Sequence, residues 1–342
     1  MHLLNTLYVT TPQSYVHLDN DTVRVDVERE TRLRVPLHHL GAIVCFGHVS
    51  VTLPLMHRLA DGGVSLVLLD DHGRFKARLE GPVSGNILLR QAQHRQAGDP
   101  AFALEVARNF VAGKIRNGRQ VLLRGAREAK SPDETATLSR AAADLAAAVR
   151  ALPGVGDLDA LRGVEGEAAR QYFAALNLLV RANVREPFHM DGRSRRPPRD
   201  RVNALLSFLY TLLMNDCRSA IEAAGLDPQL GFLHAVRPGR AALALDLMEE
   251  FRPFADRLAL SLINRGQIAS DSFTDREGGA VLLGDEGRKT VLVAYQERKQ
   301  EELSHPLLSE PIPLGLLPHI QARLLARTLR GEHAQYLPFL IR

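Results

Sequence analysis

Four side chains stand out because their chemistry conflicts with the apolar pattern around them. Glu165 stands on a predicted helical face that is otherwise apolar at positions 158, 161, 168 and 172. Asp246 and Glu249 are three residues apart, so they fall one turn apart on one face of a Leu-rich helix. His234 precedes that helix across a Pro-Gly turn and is close enough to fold back over it.

Carboxylates combined with one imidazole form an oxygen-rich site, which suits Mn²⁺ or Mg²⁺ better than zinc and is typical of phosphate chemistry. A buried carboxylate without a partner costs on the order of several kcal/mol, so Glu165 must meet an arginine, a metal ion or a proton. A structural role is the alternative, with the acidic side chains paired to Arg237, Arg240 or Arg252. Spacing alone leaves both interpretations open.

Standard catalytic and targeting signatures are absent from the sequence. There is no GxxxxGK[ST], HExxH or GxSxG motif, and no GxGxxG follows a strand. Cys45 and Cys217 lie in apolar runs, which predicts reduced, buried thiols. The sequence has no CxxC motif, which excludes a thiolate zinc site. Without a signal peptide or an apolar stretch of about 18 residues, the expectation is a cytoplasmic protein with no membrane span.

Charge is distributed unevenly along the chain. The net charge is only +4, but residues 74–130 carry twelve Lys and Arg against four Asp and Glu, and residues 181–201 carry seven against three. Lysine supplies five of the 43 cationic residues, so arginine, which binds phosphate bidentately, dominates. Such polarisation is typical of a face that binds a polyanion.

One basic cluster lies where no helix can form. Its members are Arg193, Arg195, Arg196 and Arg199. Gly192 and two consecutive prolines exclude a helix here, so these arginines lie on a loop and are free to reach a ligand. The loop is therefore predicted to bind nucleic acid.

The elements that must position these residues occur as strands first and helices afterwards. Period-two apolar runs predict strands at 4–9, 15–18, 23–27, 32–35, 42–46, 64–69 and 75–79, with one helix at 53–60. Helical spacing then predicts helices at about 100–112, 131–151, 157–180, 200–224, 241–251, 254–267 and 316–330, and a hairpin near 279–295.

This order predicts an α+β fold, with a small N-terminal β-sheet domain followed by a larger all-α C-terminal domain. We expect the β domain at 1–85, a linker at 86–98 and the helical domain, which holds all four candidate catalytic residues, at 99–342. An alternating βαβ nucleotide-binding fold is excluded.

Blocks of sequence around these residues resemble the CRISPR adaptation integrase family, CRISPR-associated protein one. The blocks are at 161–166 (LRGVEG), 197–207 (PPRDRVNALLS), 231–234 (GFLH) and 243–250. The segments 4–9 (LNTLYV) and 315–322 (GLLPHIQA) are similar to the variant found with type I-C systems. The likeness runs in the same order over nearly the whole chain.

The resemblance implies a metal-dependent DNA endonuclease and integrase, which inserts captured DNA fragments as spacers into a repeat array by attack of a 3′-hydroxyl on a phosphodiester. It also implies a homodimer formed through the β domain, a complex with the small CRISPR-associated protein two, and double-stranded and branched DNA as the substrate. Mn²⁺ or Mg²⁺ is the implied cofactor.

The family's metal-binding residues fall on Glu165, His234 and Glu249, and Asp246 matches a neighbouring acidic position of the catalytic motif. Many members carry Asp where this chain has Glu249, so the choice of ligand between Asp246 and Glu249 stays open. The basic loop would hold the DNA backbone beside the ion.

Two other functions remain as alternatives. A non-catalytic DNA-binding scaffold would carry the same basic faces, with its carboxylates in ion pairs. An RNA-directed nuclease would differ only in substrate, but Phe188 alone lies near the basic loop, which argues against recognition of RNA bases by stacking.

Overall fold

The computed structural model describes residues 5–81, 87–308 and 310–341. These residues group into two compact units. One comprises the described parts of Met1–Ser84, Arg288–Leu303 and Pro311–Leu316, and the other those of Gly85–Gly287, Ser304–Glu310 and Leu317–Arg342.

The N-terminal part of the first unit is built from two four-stranded sheets and one helix. Its elements are β1 (Thr6–Val9), β2 (Tyr15–Asp19), β3 (Thr22–Val27), β4 (Glu30–Pro36), β5 (Ala42–Phe46), β6 (Ser50–Val51), α1 (Leu53–Asp61), β7 (Ser65–Leu69) and β8 (Phe75–Leu79). Every predicted strand and the predicted helix form, although Leu4 lies outside the described residues. Only the two-residue β6 was not predicted.

One sheet has the order β1-β5-β7-β8, with β1, β5 and β7 parallel and β8 antiparallel to β7. The other has the order β4-β3-β2-β6, in which β6 alone pairs in parallel. Alternate side chains, among them Val16, Val23 and Ile43, are fully buried in one core with Leu55 and Leu59 of α1. The period-two apolar pattern reflects this burial of one sheet face.

The rest of the chain is mainly helical. The helices are α2 (Ile87–Ala97), α3 (Pro100–Glu128), α4 (Pro132–Ala151), α5 (Leu158–Leu176), α6 (Arg201–Ala223), α7 (Ala242–Glu249), α8 (Arg252–Asn264), α9 (Asp285–Gln300) and α10 (Leu317–Leu329). Two short strand pairs join them, β9 (Phe273–Arg276) with β10 (Ala280–Leu283) and β11 (Glu302–Ser304) with β12 (Pro311–Pro313). The α+β fold class is confirmed, and none of the helices in the described ranges is long and apolar enough to cross a membrane.

Helix α3 continues to Glu128, well beyond the predicted end at 112. Gly113 lies within the helix and does not end it. Its missing side chain lets Pro338 and Glu250 pack closely against α3. A Cβ at this position would lie 2.7 Å from Pro338 Cβ and 3.1 Å from Glu250 Cβ. The extra turns carry Lys114 and Asn117.

Two other segments differ from the prediction. The hairpin predicted at 279–295 is wrong, because the antiparallel pair lies at 273–283 and residues 285–300 form α9. Val291, Leu292 and Tyr295 are buried at helical spacing there. Residues 86–98, predicted as a linker, contain α2, whose buried Gln93 donates from Nε2 to the carbonyls of Asp227 and Leu230 at 2.8 and 2.9 Å.

Candidate active site

Asp246 on α7 organises the loop that carries the predicted histidine. Its carboxylate is fully buried, and Oδ2 accepts hydrogen bonds from the backbone N–H groups of Phe232 at 2.5 Å and Leu233 at 2.9 Å. Oδ1 accepts from the His234 N–H at 2.9 Å and lies 2.6 Å from His234 Nδ1. One carboxylate therefore fixes both the backbone of the loop and the imidazole.

Two further residues hold this loop in place. A Cβ at Gly231 would lie 2.6 Å from Asp246 Oδ2 and 2.8 Å from the carbonyl carbon of Ala242, so only glycine leaves room for the carboxylate. Arg162 on α5 donates from Nε and Nη2 to the Leu233 carbonyl at 2.9 and 2.7 Å. The loop is thereby tied to α5 as well as to α7.

Glu249 lies one turn after Asp246 and is also buried. Its Oε1 accepts from Arg252 Nε at 2.9 Å and lies 3.8 Å from His234 Nε2, while Oε2 lies 2.7 Å from Lys114 Nζ. Burial acts to raise the pKa of Glu249, but the charges of Arg252 and Lys114 outweigh it and hold that pKa below its ordinary value. Glu249 is therefore a buried but ionised carboxylate.

Glu165 is half-buried on α5, as its apolar face predicted, and the Lys114 ammonium is its partner. The same ammonium contacts Glu249, so Lys114 lies between the two carboxylates and connects α3, α5 and α7. Glu167, two residues along α5, is exposed and pairs with Arg170. The structure thus brings together all four predicted acidic and histidine residues, in the second unit.

Sequence reasoning missed Lys114. The available signal was a lysine that interrupts the run from Phe110 to Ile115, where the neighbouring side chains are apolar and mostly buried. It also missed Glu250, which directly follows Glu249 and is fully buried. Burial raises the pKa of Glu250 to about 8, so this carboxyl is mostly protonated at neutral pH.

Glu250 and Asn117 anchor the C-terminal segment behind the site. Asn117 Nδ2 donates to the carbonyls of Glu250 at 2.8 Å and Phe339 at 2.9 Å, and the Phe339 N–H donates to Glu250 Oε2 at 2.6 Å. The hydroxyl of Tyr336 donates to the other oxygen of Glu250. The end of α7, and with it Glu249, is therefore held by α3 and by residues 336–341.

The arginines of the basic loop do not behave alike. Arg193 is half-buried, with Nη1 donating to the Ser194 carbonyl and to Asn203 Oδ1, both at 2.5 Å, and its guanidinium lies 5.3 Å from the centre of the Tyr210 ring. Burial lowers the pKa of Arg193. Arg195, Arg196 and Arg199 are exposed on an irregular loop, as predicted.

The ion pairs expected under the structural alternative form only in part. Arg252 pairs with Glu249, and its guanidinium lies over the Tyr210 ring at 4.6 Å. Arg237 is exposed, and Arg240 donates to the Ala235 carbonyl at 3.5 Å. Of the three arginines that the alternative names, Arg252 therefore pairs with a predicted site carboxylate.

The donor set fits a hard divalent ion. Glu165 and Glu249 offer carboxylate oxygens, and His234 offers Nε2 because Asp246 engages Nδ1, which is the usual arrangement of a metal-binding histidine. Within the described ranges, no three His, Cys, Asp or Glu side chains already converge at metal-binding distance. The Lys114 ammonium, itself a cation, lies between the two carboxylates.

Comparisons with known proteins decide the family. A family model described as CRISPR associated protein Cas1 matches residues 7–297. The chain is 58% identical over 344 aligned residues to a CRISPR-associated endonuclease Cas1 of Moorella thermoacetica, covering 100% of both chains. The chain belongs to the Cas1 family.

Solved structures of Cas1 proteins share the fold. A CAS1 protein of Thermotoga maritima aligns with a TM-score of 0.82 at 22% identity, over 97% of this chain and 98% of that one. A chain of a Cas6-RT-Cas1–Cas2 complex aligns with a TM-score of 0.82 at 26% identity, over 98% of this chain and 36% of that longer chain. The N-terminal sheets and the helical remainder described above are therefore the Cas1 architecture.

Proposed function

We propose that this Cas1-family protein is a metal-dependent DNA endonuclease and integrase of CRISPR adaptation. It inserts captured DNA fragments as spacers into the repeat array by attack of a 3′-hydroxyl on a phosphodiester. One observation carries the proposal: His234, oriented through Nδ1 by Asp246, directs Nε2 toward Glu249. The 58% identical endonuclease relative supports the enzyme over the DNA-binding scaffold.

Cas1 endonucleases are metal-dependent, and we propose Mn²⁺ or Mg²⁺ as the ion, held by Glu165, His234 and Glu249. When bound, the ion supplies Lewis acidity that polarises the scissile phosphate. Both Asp246 oxygens are engaged by the His234 loop, so the proposal gives direct ligation to Glu249 and orientation of the imidazole to Asp246.

The remaining contacts prepare these side chains for their roles. Asp246 keeps the proton of a neutral imidazole on Nδ1, which leaves the lone pair of Nε2 available. Arg252 keeps Glu249 ionised, as a metal ligand must be. Arg162 and Gly231 hold the loop so that the imidazole cannot swing away from Glu249.

The partners and the setting complete the proposal. We propose a homodimer formed through residues 1–85, where Tyr15, Leu33 and Phe75 expose apolar surface. A complex with Cas2 is supported by the Cas1–Cas2 assembly among the similar structures.

We also propose a type I-C-like subtype, on the basis of segments 4–9 and 315–322, and the cytoplasm as the location of the protein. A repeat array and a small partner gene beside this gene would support the subtype and the partner.

Strand transfer from a defined 3′ end tests the proposed reaction. With Mn²⁺ or Mg²⁺, we expect the protein to join a labelled DNA fragment to a repeat-containing duplex, and to resolve branched DNA. A fragment that ends in a 3′-dideoxynucleotide should not be joined, because it lacks the attacking hydroxyl. Joining of the blocked fragment would contradict the mechanism. DNA binding without any transfer would instead support the scaffold, and preferential cleavage of competitor RNA would support the RNA-directed nuclease.

We propose that Arg195, Arg196 and Arg199 contact the DNA backbone, while Arg193 holds their loop in place. Each phosphate contact contributes about 0.9 to the slope of log affinity against log salt concentration. Replacing the three exposed arginines with alanine should therefore flatten this slope by roughly 2 to 3. Fluorescence anisotropy on duplex DNA at several salt concentrations measures the slope.

A matched control removes the same charge from exposed arginines elsewhere in the second unit. Its three substitutions are Arg140→Ala, Arg150→Ala and Arg323→Ala. The control is expected to keep a slope closer to that of the unmodified protein. If the loop variant and the control variant have the same slope of log affinity against log salt concentration, the loop does not contact DNA.

A further inference from the structure

One lysine occupies the centre of the candidate metal site. Lys114 Nζ contacts Glu165 and lies 2.7 Å from Glu249 Oε2, although the two carboxylates come from different helices. Its side chain is 15% exposed, so this ammonium is largely removed from water. An amine with two carboxylates around it occupies the position that a divalent cation would take.

The second cation of the site, Arg252, is held differently. Its guanidinium lies over the Tyr210 ring and donates to Glu249 Oε1, and its side chain is 9% exposed. Packing on the aromatic ring therefore fixes Arg252 independently of Glu165. Lys114 is joined to the site through its flexible four-carbon chain and the two carboxylates.

Lys114 lies at the edge of a small cavity. Lys114 and Glu165 line this cavity together with Tyr172, Tyr210 and Asp256. The Asp256 carboxylate accepts hydrogen bonds from both tyrosine hydroxyls, at 3.0 Å from Tyr172 and 2.6 Å from Tyr210. The cavity that Lys114 lines therefore also carries a third carboxylate, that of Asp256.

We propose that the Lys114 ammonium is an internal cation that neutralises Glu165 and Glu249 in the metal-free protein and must be displaced before a divalent ion can bind. The inference rests on the proposed function, because it takes these carboxylates as metal ligands. It adds a competitor built into the chain, which holds the ligands close together and lowers the apparent affinity for the ion.

The physical reason is exclusion of like charges. An ammonium and a divalent ion cannot both lie within contact distance of the same two carboxylate oxygens, since their repulsion is strong in a partly buried site. Only the fraction of molecules with Lys114 displaced can bind the ion. The apparent dissociation constant is the intrinsic one divided by this fraction, so it is higher when fewer molecules are in the displaced state. The metal-free protein gains in return, because its buried carboxylates are never left unpaired.

Replacing Lys114 with methionine tests the competition, because it keeps the length and apolar stem and removes the charge. In isothermal titration calorimetry with Mn²⁺ and no DNA, the apparent dissociation constant of Lys114→Met should be lower than that of the unmodified protein by roughly tenfold or more. Differential scanning fluorimetry should show a lower melting temperature in EDTA and a larger rise on adding Mn²⁺ than for the unmodified protein. Lys130→Met, at an exposed lysine, is the control and should change neither quantity.

If folded Lys114→Met binds Mn²⁺ with unchanged or weaker affinity, the proposal that Lys114 competes with the ion is wrong. Failure of the unmodified protein and of Lys114→Met alike to bind Mn²⁺ would overturn the proposed metal site itself, and this inference with it. Binding by Lys114→Met alone would support both.

A second measurement uses the unmodified protein, so it does not depend on how the variant folds. The chain has only five lysines, and each can be followed by mass spectrometry after brief reductive methylation. Displacement predicts that Mn²⁺ raises methylation of Lys114 relative to the exposed Lys76 and Lys130. Equal or reduced labelling of Lys114 with Mn²⁺ bound would show that the ammonium stays on the carboxylates.

Discussion

Glu165→Gln and His234→Ala are each expected to lower metal-dependent strand transfer by about 10³-fold. Each substitution removes one of three proposed ligands, and loss of roughly 4 kcal/mol of transition-state stabilisation corresponds to that factor. The fold should survive, since Glu165 and His234 are only half-buried and neither packs in the core. Rates of joining on a branched DNA, with circular dichroism to confirm the fold, measure the effect.

Glu167→Gln is the matched control for Glu165→Gln. It makes the same chemical change two residues further along α5, at an exposed carboxylate that pairs with Arg170. This control should transfer strands at the rate of the unmodified protein. Normal activity of either Glu165→Gln or His234→Ala would remove that residue from the catalytic site.

Asp246→Asn is expected to reduce both stability and activity, although Asp246 is not proposed as a ligand. An amide offers one acceptor oxygen where the carboxylate accepts from three backbone N–H groups and faces His234 Nδ1. Leaving buried N–H groups unsatisfied costs about 1 to 3 kcal/mol each. The free energy of unfolding, measured in urea, should therefore be roughly 3 kcal/mol lower than for the unmodified protein. The misoriented imidazole should weaken Mn²⁺ binding about 10- to 100-fold.

Comparison with two other variants separates orientation from ligation. Asp144→Asn, at an exposed carboxylate on α4, should leave stability and metal binding unchanged. Glu249→Gln should abolish Mn²⁺ binding, whereas Asp246→Asn should retain weak binding. If Asp246→Asn abolishes binding and Glu249→Gln retains it, the roles of the two acidic residues are reversed.

Strands β2 and β3 were predictable because each buries one sheet face. Val16 and Val23 alternate with polar or exposed neighbours, so the local sequence has the same period as the sheet. The region after Gly266 was harder. Val291, Leu292 and Tyr295 are compatible with either a strand or a helix over a short stretch, and packing within the first unit decides for α9.

The candidate site shows a similar division. Glu165 on an apolar face had to have a partner, and the GFLH block at 231–234 marked the histidine loop. The need for Gly231 could only be seen in the tertiary structure, because the space beside it is filled by an oxygen of Asp246, about fifteen positions later in the chain. The basic loop was placed correctly, but the burial of Arg193 against Tyr210 depends on α6 and could not be read locally.

The amino-acid sequence by itself determined the chemistry of this protein: two glutamates and an aspartate on helical faces, one histidine on a loop, and a basic segment that cannot be helical. Only the tertiary structure decided which carboxylate orients the imidazole, which one faces Nε2, and that Lys114 lies between Glu165 and Glu249. The physical reason is that helical periodicity determines which face of its own helix a side chain occupies. The partner across the interface is set by how α3, α5 and α7 pack, and that packing is a property of the whole chain.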